Sequence, residues 1–170
     1  SIVINELRGH SHQAAPDWVE LYNTTDQDIN IEGWFLSDRN DDDPNIMKYE
    51  IPGGTVINAG SYLVFIENET FGNPSAPGCH TPFGLSEAGE TVYLYSGQSG
   101  QVTGYYQTEE NFDASETDMT FGRYEKAELS GGYDFVRQSS PSQGVVNKGP
   151  LIADIVITEI YYNPPTGGAY

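Results

Sequence analysis

An all-β sandwich or barrel is the fold class this sequence predicts, on three observations. Apolar and polar residues alternate with a period of two in many short segments, turn-forming residues separate those segments, and no stretch carries a convincing helical period. Composition agrees: 12 Tyr, 7 Phe and 2 Trp stand beside 19 Gly and 10 Pro in 170 residues, a mixture that favours strands and turns. A chain of this length buries roughly 70% of its unfolded surface, so one domain with a true core is expected.

Strand patterns fall at residues 1–7 (SIVINEL), 17–23 (DWVELYN), 29–38 (INIEGWFLSD), 61–67 (SYLVFIE), 90–96 (ETVYLYS), 101–107 (QVTGYYQ), 119–124 (MTFGRY) and 133–138 (YDFVRQ). In the second, Val19 and Leu21 share one face while Trp18, Glu20 and Tyr22 share the other. Gly, Asn, Asp and Ser mark turns at 23–28, 52–54, 58–60, 97–100 and 131–132. About eight to ten short strands are expected. Longer irregular stretches at 8–16, 39–45, 70–82 and 108–118 are the loops where function would sit.

After SSPSQGVVNKGP, which offers little to bury, the strand pattern restarts at Leu151. Residues 154–160 (DIVITEI) nearly repeat residues 1–7 (SIVINEL). The expectation is a domain at 1–148, followed at 149–170 by a linker and the first strand of a truncated second copy. Such a strand cannot bury its apolar face alone, so residues 154–162 are expected to pair with an exposed sheet edge.

Acidic residues outnumber basic ones 25 to 7, and the formal charge of -18 weighs against direct binding of nucleic acid or anionic membrane surfaces. No apolar run approaches the roughly 20 residues of a membrane span. The single cysteine, Cys79, forms no internal disulfide, and its scarcity fits cytosol and bacterial exterior equally.

Six segments in order, IVINEL, DWVELYNTTDQDINIEGWFLSD, YEIPGGTVINAGSYLVF, HTPFGLSEAGETVYLYSG, TFGRY and SPSQGVVN, together resemble a bacterial lamin-tail domain over residues 2–147; IVITEIYYNPP resembles the opening of another copy. The resemblance implies an immunoglobulin-like antiparallel β-sandwich of the lamin-tail type. It also implies a module of larger exported proteins, often beside secreted nucleases, phosphoesterases or kinase-like domains, and itself not known for catalysis. Two departures stand out: the acidic loop RNDDDPN at 39–45 is enlarged, and Gln143 stands where the closing motif more often has proline.

Asp38, Asn40, Asp41, Asp42 and Asp43 place five oxygen-bearing side chains within six positions. Calcium takes about 6 to 8 oxygens, so a calcium site is one reading and a solvated acidic loop the other; the glycine and distal Glu of an EF-hand are missing. His10 and His12 form an H-x-H pair of the kind zinc sites use, but no third ligand is evident and they read as loop histidines. Cys79 beside His80 is no catalytic dyad by adjacency alone. Glu6 and Glu20 are candidate paired carboxylates on neighbouring strands, and the resemblance implies a structural role for them, accepting backbone or hydroxyl hydrogen bonds at a sandwich corner. Trp18 and Trp34 read as packing residues before sugar platforms. Asn23 and Asn68 match the glycosylation sequon and read as markers of exposed loops.

These features, with the export and the extracellular or cell-surface location that the resemblance implies, predict a non-enzymatic, exported interaction module with a protein or glycan partner and calcium as the one candidate cofactor. The alternatives are a calcium-dependent carbohydrate-binding module, or an accessory domain of a secreted metal-dependent phosphoesterase or nuclease.

Overall fold

The computed structural model describes residues 1–12, 15–40, 42–126 and 131–152; the strand expected at 154–160, its pairing through 154–162, and Asp41 lie outside the described residues. Among the described residues eleven strands run in order: β1 Ile2–Arg8, β2 Trp18–Asn23, β3 Ile29–Asn30, β4 Phe35–Ser37, β5 Tyr49–Glu50, β6 Val56–Ile57, β7 Tyr62–Ile66, β8 Gly89–Gln98, β9 Gln101–Asp113, β10 Phe121–Glu125 and β11 Tyr133–Arg137. A 3-10 turn, Glu67–Glu69, follows β7.

The strands form a five-stranded sheet of order β11-β10-β1-β2-β7, a four-stranded sheet of order β5-β4-β8-β9, and a small β3-β6 ribbon. Among the described residues every pairing is antiparallel, consistent with the immunoglobulin-like sandwich that the resemblance implies. Ile2, Ile4, Leu7, Val19, Leu21 and Phe65 from the first sheet share one core with Leu36, Tyr49, Val92, Leu94 and Phe112 from the second. Rings join the layers directly: Tyr49 on β5 meets Phe65 on β7 edge-on at 5.9 Å, and Phe112 on β9 meets Phe121 on β10 at 5.8 Å. Each such side chain taken fully out of water contributes about 1.5–3 kcal/mol.

A bulge sets the phase of β1. Ile4 pairs with Leu21 and Glu6 with Glu20, leaving Asn5 as the extra residue between two register positions. Strict alternation from Ile2 and Ile4 would aim Glu6 into the apolar core. The added residue turns Asn5 and Glu6 to the outer face of the sheet and returns Leu7 to the core.

The structure corrects three expectations and adds two short strands. Residues 29–38 are two strands, because Gly33 at φ +74° turns the chain between β3, which pairs with β6, and β4, which pairs with β8. The loop expected at 108–118 is strand up to Asp113, with Glu110 and Phe112 buried between exposed neighbours. Strands β5 and β6 have two residues each, too short to show a period. Asn23 is fully buried, and its Nδ2 donates to the carbonyls of Gln27 (2.7 Å) and Ile57 (2.9 Å), so it marks a core clamp and not an exposed loop.

Candidate functional site

The sequence places a carboxylate on each of two neighbouring strands, and the register sets them opposite one another: Glu6 on β1 is the partner of Glu20 on β2. Both are fully buried. Like charges directly opposed across strands destabilise a sheet, and buried carboxylates need donors. The donors come from Asn5 in β1, from Thr120 just before β10 and from the segment after β11. Glu6 accepts hydrogen bonds from Thr120 Oγ1 (2.6 Å), Ser142 Oγ (2.6 Å) and the Ser142 amide (3.1 Å). Glu20 accepts from Asn5 Nδ2 (2.7 Å) and from the Gly144 amide.

Residues 138–149 thereby lie as a strap across the outer face of the five-stranded sheet. Gln138 opens it, donating from Nε2 to Gly122 O (3.0 Å) while its Oε1 accepts from the Gly149 amide (2.9 Å). Asn147 closes it, donating to Arg123 O (2.8 Å) and accepting from Asn5 Nδ2 (2.8 Å). Gly122 makes room, since a Cβ there would stand 2.8 Å from Asn147 Nδ2 and 3.2 Å from Asn5 O. Between these anchors the chain turns: the Val145 amide bonds Ser142 O at 3.1 Å, with Gln143 second and Gly144, at φ +76°, third. Proline is common at that second position, so the departure at Gln143 falls where it changes only a turn.

Burial pushes the Glu20 carboxyl up to about 7; the Gly144 and Asn5 bonds oppose this and the neighbouring Glu6 charge adds to it. Glu6 is also raised by burial, against the bonds from Ser142 and Thr120. Raised carboxyls in pairs are a common feature of acid–base sites. Here the carboxylate oxygens are occupied by donors of the chain itself. The adjoining cleft of about 280 Å³ is lined by Asn5, Tyr22, Tyr62, Arg123 and Val146 and by neither glutamate. The pair is built to fasten a segment, the structural role expected of it.

The acidic loop is arranged differently. Asp38 is nearly buried, its Oδ1 2.5 Å from the equally buried Lys48 Nζ and its Oδ2 3.8 Å from Arg39. Asp43 lies 3.5 Å from Arg39 Nε and accepts the Asn45 amide at 2.8 Å. Asn40 contributes its carbonyl to the Asp43 amide (3.1 Å), and Asp42 is exposed. Two of the four described side chains therefore already face cations of the chain.

The histidines do not converge. His10 contacts Ser115 O at 2.7 Å and Glu87 at 3.4 Å, the His12 amide bonds Asp118, and His80 contacts Glu50 at 3.0 Å. Among the described residues no group of three or more His, Cys, Asp or Glu side chains is placed to hold a metal. Cys79 is half-buried with its thiol toward Phe71 O at 3.6 Å, and burial raises its pKa. Trp18 is buried on the same face as Glu20. Among the described residues no helix is long and apolar enough to cross a membrane.

Sequence reasoning missed the partners of the carboxylates. Ser142 and Gly144 lie 136 and 124 positions away from Glu6 and Glu20, a separation at which no local pattern links them. The Lys48–Asp38 pair was also missed, although a lone Lys beside an acidic loop was a signal available to find it.

No curated protein and no solved structure matches the chain. The Lamin Tail Domain profile matches residues 1–109, more than half of the chain, from β1 into β9. With an all-β antiparallel sandwich of immunoglobulin type under that match, the chain belongs to the lamin tail domain family, an immunoglobulin-like structural and protein-interaction domain.

Proposed function

We propose that this domain is a non-catalytic binding and scaffolding module of a larger exported bacterial protein, repeated along its parent and engaging a protein or glycan partner at or outside the cell surface. The observation that supports this reading is the use made of the two buried carboxylates. Glu6 and Glu20, the pair whose raised pKa values would suit acid–base work, are closed beneath residues 138–149 and engaged by Thr120, Ser142, Asn5 and Gly144. A catalytic pair must instead reach a substrate through a cleft.

The test has two arms on one preparation. The purified domain, given chromogenic phosphodiesters and esters with magnesium, calcium or zinc, is expected to leave them intact while binding saturably to an array of extracellular proteins and glycans. Turnover that disappears in Glu6→Gln or Glu20→Gln would overturn the reading.

A calcium-assisted form of the same reading assigns the ion to Asp38, Asn40, Asp41, Asp42 and Asp43. The ion would have to compete with Lys48 and Arg39 for two of these carboxylates. A rise in melting temperature at millimolar calcium supports this form, and an unchanged one removes it.

A further inference from the structure

A second bulge lies on β9. Tyr95 pairs with Gln107 and Gly97 with Val102, so four residues, Thr103 to Tyr106, stand opposite the single residue Ser96. Ser96 is buried and its side chain does the work of the missing ladder: its Oγ lies 2.8 Å from Thr103 Oγ1 and accepts the Tyr106 amide at 2.8 Å, while Thr103 Oγ1 donates to Ser96 O at 3.1 Å. Gly104 takes φ +71° within the bulge. Bulges of this kind re-aim side chains. This one leaves Tyr105 89% exposed, while Tyr106 stays packed, its hydroxyl on Ile2 O and its ring 5.6 Å from Trp34.

Facing the bulge is the turn between β3 and β4. It comes in close because Gly97 has no side chain: a Cβ there would meet Gly33 O at 1.9 Å. The result is a cleft of about 380 Å³ walled by Trp34, Tyr105 and Tyr106 with Asn30, Glu32 and Gln98, which abuts a second of about 510 Å³ through Glu32 and Gln98. Both volumes lie in the range of roughly 300–1,000 Å³ typical of small-ligand sites. The polar wall is held in place, since Glu32 Oε2 accepts the Gly54 amide (2.8 Å) and Asn30 Oδ1 accepts the Glu32 amide (2.8 Å).

We propose that this cleft binds a neutral oligosaccharide, one sugar ring lying on Tyr105 and the hydroxyls of its neighbours meeting Glu32, Asn30 and Gln98. The wall chemistry selects that class. Carboxylate, amide and hydroxyl groups together supply both acceptors and donors, as a polyhydroxyl ligand requires. A purely donating cation would leave the amide donors unmatched, and an anion would meet Glu32, Glu50 and a chain of net charge -18. Apolar ring faces beside a few fixed polar groups complete the pattern of a small-ligand site. The assignment rests on the reading of the domain as a binding module and names its ligand class.

The test is calorimetric titration of the domain with soluble hexasaccharides of β-linked glucose, β-linked xylose, β-linked N-acetylglucosamine and α-linked mannose, with Trp fluorescence as a second readout. At least one is expected to bind with a Kd between about 1 μM and about 1 mM. Tyr105→Ala and Gln98→Ala should each weaken it by about tenfold or more, Tyr105→Ala without change in melting temperature, since that side chain is exposed. Tyr124→Ala, an exposed aromatic outside the cleft, should leave binding unchanged. No binding by any hexasaccharide, or binding that Tyr105→Ala does not weaken, overturns the proposal, as does a proline-rich peptide or choline occupying the cleft in their place. If the protein and glycan array still finds a partner when the cleft variants bind normally, only the cleft assignment fails; an array without any partner removes the module reading itself.

Discussion

Replacing Glu20 by glutamine keeps the shape of the side chain and removes one charge from the buried pair. In the folded protein the Glu20 carboxyl is raised from 4.5 to about 7, chiefly by burial. The native state therefore holds this proton over a pH range in which the unfolded chain has released it. The contribution to stability is fully present below the unfolded value and is lost as pH rises through the folded one. A window of about 2.5 pH units at about 1.4 kcal/mol each comes to at most about 3.5 kcal/mol. Glutamine does not titrate, so the variant lacks this slope. It also presents an NH2 group to Asn5 Nδ2 or the Gly144 amide, where an oxygen had accepted, at a cost of about 1–3 kcal/mol. Glu20→Gln should thus be the less stable protein near pH 4.5 and should gain up to about 3.5 kcal/mol relative to the parent by pH 8, so that the two curves converge or cross. Urea unfolding followed by tryptophan fluorescence across this range measures the difference. Other raised carboxyls, such as Glu90 and Glu110, are common to both proteins and largely cancel. Stability curves that run parallel from pH 4.5 to 8 would refute the reasoning.

Three further outcomes follow from the packing. Gly122→Ala should lower stability by about 1–3 kcal/mol, read by chemical denaturation, because the added methyl meets Asn147 Nδ2 at 2.8 Å and overpacks the seat of the strap. Lys48→Ala should cost about 3 kcal/mol by leaving Asp38 buried without its nearest cation, and Asp38→Asn in the same chain should recover most of the loss in a double-mutant cycle. Gln143→Pro should raise the melting temperature slightly, by about 0.4–1 kcal/mol of stability, since the second position of a turn with Gly144 at positive φ suits proline.

How much of this was legible in the sequence varied with the range of the interactions. Period-two patterns located β1, β2, β7, β8, β10 and β11, whose partners impose one apolar face. Gly33 was in plain view within INIEGWFLSD, but glycine inside a strand pattern signals a bulge as well as a turn, and only the pairing of β3 with β6 decides between them. The second half of β9 was hidden because Glu110 occupies an inward position; Arg123, 3.0 Å away, neutralises it there, and a contact between strands leaves no local trace. At the carboxylate pair, the strand positions of Glu6 and Glu20 were readable. Their burial was not, since it depends on the Asn5 bulge and on a strap more than 120 residues further along the chain. The acidic loop read as a cluster of ligands because sequence shows its charges and conceals the basic side chains folded against them.

The central claim is that two buried carboxylates fasten residues 138–149 to the sandwich, and native-state hydrogen exchange at the Ser142 and Gly144 amides tests it most directly. Both amides lie outside the strands yet donate to Glu6 and Glu20. They should exchange as slowly as amides of β1 and β2, with protection at Gly144 reduced selectively in Glu20→Gln. Exchange of both at the rate of an unfolded peptide would contradict the account.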